Sequence, residues 1–108
     1  ERNEKIKESI KTKIIDAGCN NSLMEFASLV NLCNILITSD SLAMHIGIAL
    51  KKKIAAFFYP TSSQEIELYN RGTKIIAKGK SYCSYQTKCT YPPEWNIDEM
   101  VNDVKDLK

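Results

Sequence analysis

The sequence has no long hydrophobic run. None of its apolar stretches approaches the roughly 18 residues that a membrane-spanning helix needs, and residues 1–5, ERNEK, lack the apolar core of a signal peptide. Neither sign of charge is in strong excess, because 15 basic and 13 acidic side chains leave a net charge of +2. The sequence therefore lacks the strong positive electrostatic field expected of a dedicated nucleic-acid or membrane-surface binder. Because it has neither a signal peptide nor a membrane span, we expect a cytoplasmic location.

Glycine is also scarce, with only 4 in 108 residues. Two common phosphate-binding strings, Gly-x-Gly-x-x-Gly and Gly-x-x-x-x-Gly-Lys-Ser/Thr, are absent. The apolar share of 44% is nevertheless ordinary for one compact domain and excludes a disordered tail. Because the first residue is not Met and a helical pattern is already under way there, we expect the chain to be a piece of a longer protein.

The four cysteines follow no common metal-binding or redox spacing. Cys33 lies in an apolar helical pattern and is predicted to be a small core residue. Cys83 and Cys89 lie in a polar stretch, where they can pair as a disulfide or bind zinc. Free thiols are the favoured interpretation, because the spacing matches neither a Cys-x-x-Cys pair nor paired zinc knuckles.

Hydrophobic periodicity predicts alternating helices and strands. Ser22 and Glu25 fit a capping box at one helix start, and Asn96 with Glu99 fits another before an amphipathic stripe. The predicted helices span 1–11, 22–34, 41–50, a short stretch within 61–69, and 96–107, and the predicted strands span 13–18, 35–38, 54–59 and 73–77. The order αβαβαβαβα favours an α/β fold with a doubly wound parallel sheet and helices on both faces.

Two hydroxyl-rich loops follow predicted strands, at residues 38–41 and 59–63. Ligands of such sheets bind beyond the carboxyl ends of the strands. Asp40 is predicted to cap the next helix, and Ser41 and His45 then share one helix face. Because backbone amides and the positive end of a helix favour phosphate, His45 is a candidate contact for a bound diphosphate.

Each of these assignments has a structural alternative. A single His in an apolar helix is often packed in the core against a carbonyl partner. Helix 41–50 has only two polar side chains and is predicted to be enclosed nearly all round, which fits that alternative. Ser41, Thr61 and Asp40 would then be simple helix caps. In the functional interpretation Asp40 mainly holds its loop so that the amides face the ligand, and it is not expected to transfer a proton.

Three blocks of the sequence, in order and in spacing, are similar to a known enzyme family. They are SLMEFASLV at 22–30, ILITSDSLAMH at 35–45 and FFYPT at 57–61. They resemble the C-terminal half of the lipopolysaccharide heptosyltransferases, glycosyltransferase family 9. In that family a helix beginning Ser-Leu leads to a strand, an Asp-Thr/Ser-Gly-x-x-His motif, a helix, a second strand and Gly-Pro-Thr.

The resemblance implies a GT-B enzyme with two Rossmann-like domains, of which residues 1–108 form part of the C-terminal, nucleotide-sugar-binding domain. It implies inverting transfer of heptose or a related sugar from an ADP-sugar to a bacterial lipopolysaccharide-core acceptor, with no metal or other cofactor. The activating base of the family lies in the N-terminal domain, so this chain alone is expected to be inactive. A cytoplasmic enzyme, peripheral at the inner face of the inner membrane, fits this role.

Matched residue by residue, the family motifs imply donor contacts, and Glu1 corresponds to an acidic residue that meets the ribose. The implied donor- and phosphate-binding residues are Asp40, Ser41, Leu42, His45, Thr61 and Glu1. Leu42 and Tyr59 stand where the family has Gly, and both departures weaken specificity for ADP-heptose. The alternative is a non-catalytic nucleotide-phosphate-binding or interaction module that retains the fold.

The family domain also has a strand, a helix and a further strand before the helix that opens this chain. Without them, the strand predicted at 13–18 has no neighbour on one side. Because unpaired strand edges invite pairing with another chain, we expect self-association as a dimer or a swapped arrangement.

Overall fold

The computed structural model describes residues 2–59, 63–77 and 94–108. The helices and strands follow one another along the chain as α1 (Arg2–Ser9), α2 (Leu23–Leu32), β1 (Ile35–Ser39), α3 (Leu42–Ala49), β2 (Lys53–Phe58), β3 (Gly72–Ile76) and α4 (Ile97–Asp106). None of the helices in these ranges is both long and apolar enough to cross a membrane.

The three strands form one parallel sheet in the order β1-β2-β3. Ile37 of β1 lies beside Ala55 of β2, which in turn lies beside Thr73 of β3. Parallel strands joined by helices need the crossover connections that the sequence pattern predicts. The predicted α/β class, a parallel sheet flanked by helices, is confirmed.

The core lies between β2 and α3. Ile54, Ala56 and Phe58 alternate along β2 and face Met44 of α3, and Leu68 closes the cluster from the segment before β3. All five side chains are buried. The continuous apolar sequence of β2 is explained by this position, because a central strand is covered on both faces.

The opposite face of the sheet is covered near α4. Phe57 alternates with Phe58 and therefore points to the other face. Trp95, directly before α4, meets Phe57 edge to face with 5.7 Å between ring centroids. At the start of α4 the Asn96 side chain accepts a hydrogen bond from the Glu99 amide, as the sequence predicts.

The capping box at the start of α2 is also confirmed. The Ser22 hydroxyl accepts from the Glu25 amide at 3.3 Å, and the Glu25 carboxylate accepts from the Ser22 amide at 2.7 Å. The hydrogen bond from the Ser22 amide holds the pKa of Glu25 below its ordinary value. This reciprocal pair fixes the residue at which α2 begins.

The predicted strand at 13–18 is wrong. The segment is irregular, and Ile15 is 83% exposed. The Asp16 carboxylate accepts from the Gly18 amide at 2.9 Å, and Gly18 has a φ of +75°, so the chain turns here. The bond to Gly18 also lowers the pKa of Asp16, with Asn3 as the second cause. An apolar trio alone does not make a strand unless a neighbour pairs with its backbone.

The predicted short helix within 61–69 is wrong in its described part. Residues 64–65 and 69–70 form turns with irregular chain between them, and Tyr69 and Asn70 have positive φ angles of 52° and 59°. A right-handed helix does not accommodate such angles. The Glu67 carboxylate accepts the Tyr69 amide at 2.6 Å and so supplies the local partner that favours the turn.

Helix α3 is not enclosed all round, contrary to prediction. Met44 and Gly47 are buried, whereas Leu42 and His45 are exposed. The buried face is fixed by close packing, because a Cβ atom at Gly47 would lie 2.6 Å from the Leu36 Cδ2 atom.

Two methionines of opposite burial test this assignment of the core. Met44 is fully buried and Met24 is 75% exposed. We expect Met44→Ala to lower the free energy of unfolding by about 2–5 kcal/mol, because a cavity replaces the side chain. Met24→Ala, the matched control, is expected to change it by less than about 0.5 kcal/mol. Urea titration measures both values, and equal losses contradict this core.

The free edge of β1 carries a prediction of self-association. In the described part of the chain β1 pairs with β2 only, it has no charged residue, and Ile37 is 55% exposed. Such an edge lacks the usual protection against pairing with a second copy. We expect light scattering to show a dimer that Ile37→Lys dissociates. Ile76→Lys, on the other outer strand at 58% exposure, is the matched control and leaves the dimer intact. A monomeric unchanged protein contradicts the prediction.

Candidate functional site

The carboxyl ends of β1 and β2 lie side by side. Ser39 is paired with Phe57, and the Asp40 amide, one residue beyond β1, donates to the Phe57 carbonyl oxygen at 3.3 Å. This bond continues the strand ladder past the end of β1. The loop that leads into α3 is therefore held at the edge of the sheet where parallel α/β proteins bind ligands.

Helix α3 begins differently from the prediction. Its N-cap residue is Ser41, not Asp40, and the Ser41 carbonyl oxygen accepts the amides of Met44 at 3.1 Å and His45 at 3.4 Å. Asp40 does not reach the cap position because its own amide is still bound to β2. The Ser41 side chain makes no capping hydrogen bond.

The first amides of α3 are available to a ligand. The opening amides of any helix have no acceptor within the helix. Here the amides of Leu42 and Ala43 make no hydrogen bond to any other described residue. They add to the positive end of the helix dipole, a combination that favours anions. The Leu42 side chain flanks this opening and is 59% exposed.

His45 lies on the exposed side of α3, one turn after Ser41. Helical side chains incline toward the N-terminus, so the imidazole extends back toward the opening of the helix. The structural alternative, in which this histidine is packed in the core, is wrong. The structure thus places Asp40, Ser41 and Leu42 at the start of α3 and His45 one turn further along the helix.

Other sequence predictions fall outside this group. Thr61 and Glu1 lie outside the described residues, as do Cys83 and Cys89. Cys33 is exposed at the C-terminal cap of α2 and is not a core residue, because its position follows the last buried turn of that helix. Within 2–59, 63–77 and 94–108, no three His, Cys, Asp or Glu side chains are arranged to hold a metal ion.

A concavity beside β3 was not anticipated from the sequence. It encloses about 80 Å³ between β3 and the start of α4, and its lining includes Lys74, Trp95, Glu99 and Asp103. Its two walls are about 20 residues apart in the sequence, so no local sequence motif predicts it. The one available signal is Trp95, the single tryptophan, beside the predicted cap Asn96.

Comparison with known protein families agrees with the resemblance of the three sequence blocks at 22–30, 35–45 and 57–61. The model of glycosyltransferase family 9 (heptosyltransferase) matches residues 1–94, which include all of the described sheet and the loop at its carboxyl edge. No curated protein and no solved structure matches significantly. With a family match over most of its length and a parallel sheet flanked by helices, the chain belongs to glycosyltransferase family 9.

Proposed function

We propose that the chain forms the donor-binding part of a glycosyltransferase that moves heptose or a related sugar from an ADP-sugar to a lipopolysaccharide-core acceptor. The observation that carries the proposal is the family match over residues 1–94. The free amides at the start of α3 support it, because they lie at the carboxyl edge of the sheet, where parallel α/β proteins bind ligands and where a helix N-terminus binds phosphate.

The chemistry assigned to these groups is stabilisation of the leaving group. Breaking the bond between the sugar and the nucleoside diphosphate leaves negative charge on a phosphate oxygen. Amides already fixed by the helix, and the dipole behind them, are suited to that charge without reorganisation. His45 adds a hydrogen-bond donor at the same end of the helix.

The acceptor is assigned to a second, N-terminal domain of a GT-B enzyme, together with the base that activates its hydroxyl group. On this proposal the chain binds the donor and does not transfer sugar by itself. Location in the cytoplasm, peripheral to the inner membrane, stays a prediction. Nucleotide titration distinguishes this proposal from the alternative, a non-catalytic interaction module. The exposed Leu42 side chain favours that alternative.

Nucleotide titration by calorimetry tests the donor assignment. We expect ADP and an ADP-sugar to bind more tightly than UDP and its sugar. His45→Ala is expected to weaken ADP binding about ten-fold or more, the effect of losing one hydrogen bond to a charged group. Lys51→Gln is the matched control, because it removes a positive charge from the opposite end of α3. Indifference to every nucleotide supports the interaction module instead.

Leu42→Gly tests whether the departure from the family motif restricts the site. Removal of an exposed branched side chain beside the free amides lets a phosphate approach the backbone more closely. We expect tighter binding of inorganic pyrophosphate, at a cost of about 1 kcal/mol in unfolding free energy from the helix propensity of Gly. Calorimetry and urea titration measure the two effects, and unchanged or weaker binding contradicts the prediction.

A further inference from the structure

The edge of the sheet at which the strands begin lies opposite the start of α3. The ends of two helices meet the turn before β2 there. The Lys52 Nζ atom donates to the Asn31 carbonyl oxygen in the last turn of α2 at 2.6 Å, and the Lys53 Nζ atom donates to the Lys108 carbonyl oxygen, just after α4, at 3.3 Å. The turn before β3 lies beside them, because β2 and β3 are paired from their first residues. We call this surface the basic edge, and it is formed by residues 31–32, 50–53, 67–71 and 105–108.

Positive charge is concentrated on the basic edge, where six basic side chains outnumber two acidic ones. The basic residues are Lys51, Lys52, Lys53, Arg71, Lys105 and Lys108, and the acidic residues are Glu67 and Asp106. The opposite edge of the sheet instead has Asp40 after β1, and Asp98 and Glu99 in the first turn of α4. The net charge of +2 therefore does not show that the molecule is positive at one edge.

Part of this charge has a structural role. Lys52 binds a carbonyl oxygen at the end of α2, where the helix dipole favours a cation. The exposed Lys51 side chain, by contrast, makes no hydrogen bond to a described residue. Arg71 follows no helix, and its guanidinium lies over the exposed ring of Tyr69, 5.6 Å from the ring centre. Lys51 and Arg71 are therefore available to a partner.

Apolar side chains lie among these cations. Leu32 is 81% exposed, Tyr69 is 59% exposed and Leu50 is 37% exposed. Leu32 also lines an open apolar groove of about 510 Å³, together with Ile15 and Met24. A nucleic acid offers phosphate to such a surface but little aliphatic area. The surface of an anionic bilayer offers phosphate for the cations and hydrocarbon for the leucines, and tyrosine favours the boundary between the two.

We propose that the basic edge is a docking surface for an anionic lipid bilayer, with Lys51 and Arg71 against the headgroup phosphates and Leu32 at the boundary of the acyl chains. The inference does not depend on the donor assignment, because Lys51 and the candidate site lie at opposite ends of α3. In this orientation the start of α3 faces away from the bilayer, where a soluble ligand reaches it.

Co-sedimentation with lipid vesicles tests the inference. We expect the protein to bind vesicles of phosphatidylcholine mixed with phosphatidylglycerol, and not vesicles of phosphatidylcholine alone. Lys51→Gln together with Arg71→Gln is expected to weaken binding about 25-fold, since each cation near an anionic leaflet contributes about five-fold. Arg2→Gln together with Lys7→Gln, on the exposed helix α1, is the matched control. It makes the same change in net charge and keeps the affinity.

Leu32→Gln tests the apolar part of the surface. Because Leu32 is exposed, its replacement does not disturb the core, and thermal unfolding confirms that each variant is folded. We expect about ten-fold weaker binding to the anionic vesicles, since the burial of one leucine side chain is lost. Binding to neither kind of vesicle, equal binding to both, or an equal loss in the α1 control overturns the inference.

A DNA oligonucleotide serves as the competing polyanion. If it binds more tightly than the anionic vesicles and Leu32→Gln has no effect on either, the basic edge binds nucleic acid and the inference is overturned. ADP titration of the variant with Lys51→Gln and Arg71→Gln keeps the two proposals apart. If the anionic vesicles bind as expected and ADP does not bind, only the proposed function fails.

Discussion

The register between β1 and β2 is the constraint on which the rest of the structure depends. With Ser39 beside Phe57, the Asp40 amide reaches the Phe57 carbonyl oxygen, and α3 can begin only one residue later. The same register turns Ile54 and Phe58 toward Met44, so the core and the start of α3 are set by one alignment. Because side chains alternate along a strand, a slip of one residue would expose the core face of β2.

Short sequence patterns predict correctly the features whose interacting residues lie close together in the chain. Ser22 with Glu25 and Asn96 with Glu99 each place both partners within one turn, so the helix starts are confirmed. The apolar run of β2 also sufficed, because burial on both faces leaves a continuous pattern. Where the outcome depended on a distant partner, as at residues 13–18, the prediction failed because an apolar trio occurs in turns as well as in strands.

The candidate site shows the same division. The family blocks predict a donor site formed by Asp40, Ser41 and His45, and the structure places Asp40 and Ser41 directly after β1 and His45 one turn into α3. Which residue caps α3 was not predictable, because it depends on whether the Asp40 amide stays bound to β2. The contact of 3.2 Å between the Thr38 and Ser41 hydroxyl oxygens was not predictable either, because the partner of a hydroxyl group depends on how the loop folds.

The two strand pairs have consequences for the order of folding. Ile35 pairs with Lys53 and Ile54 with Gly72, so each pairing joins residues 18 positions apart in the chain. Such contacts stabilise the fold only after a loop of that length has closed, which slows folding relative to a helical bundle. Since β2 belongs to both pairs, the central strand has to be in place before either closure is stable, and the kinetic nucleus is expected to form around it.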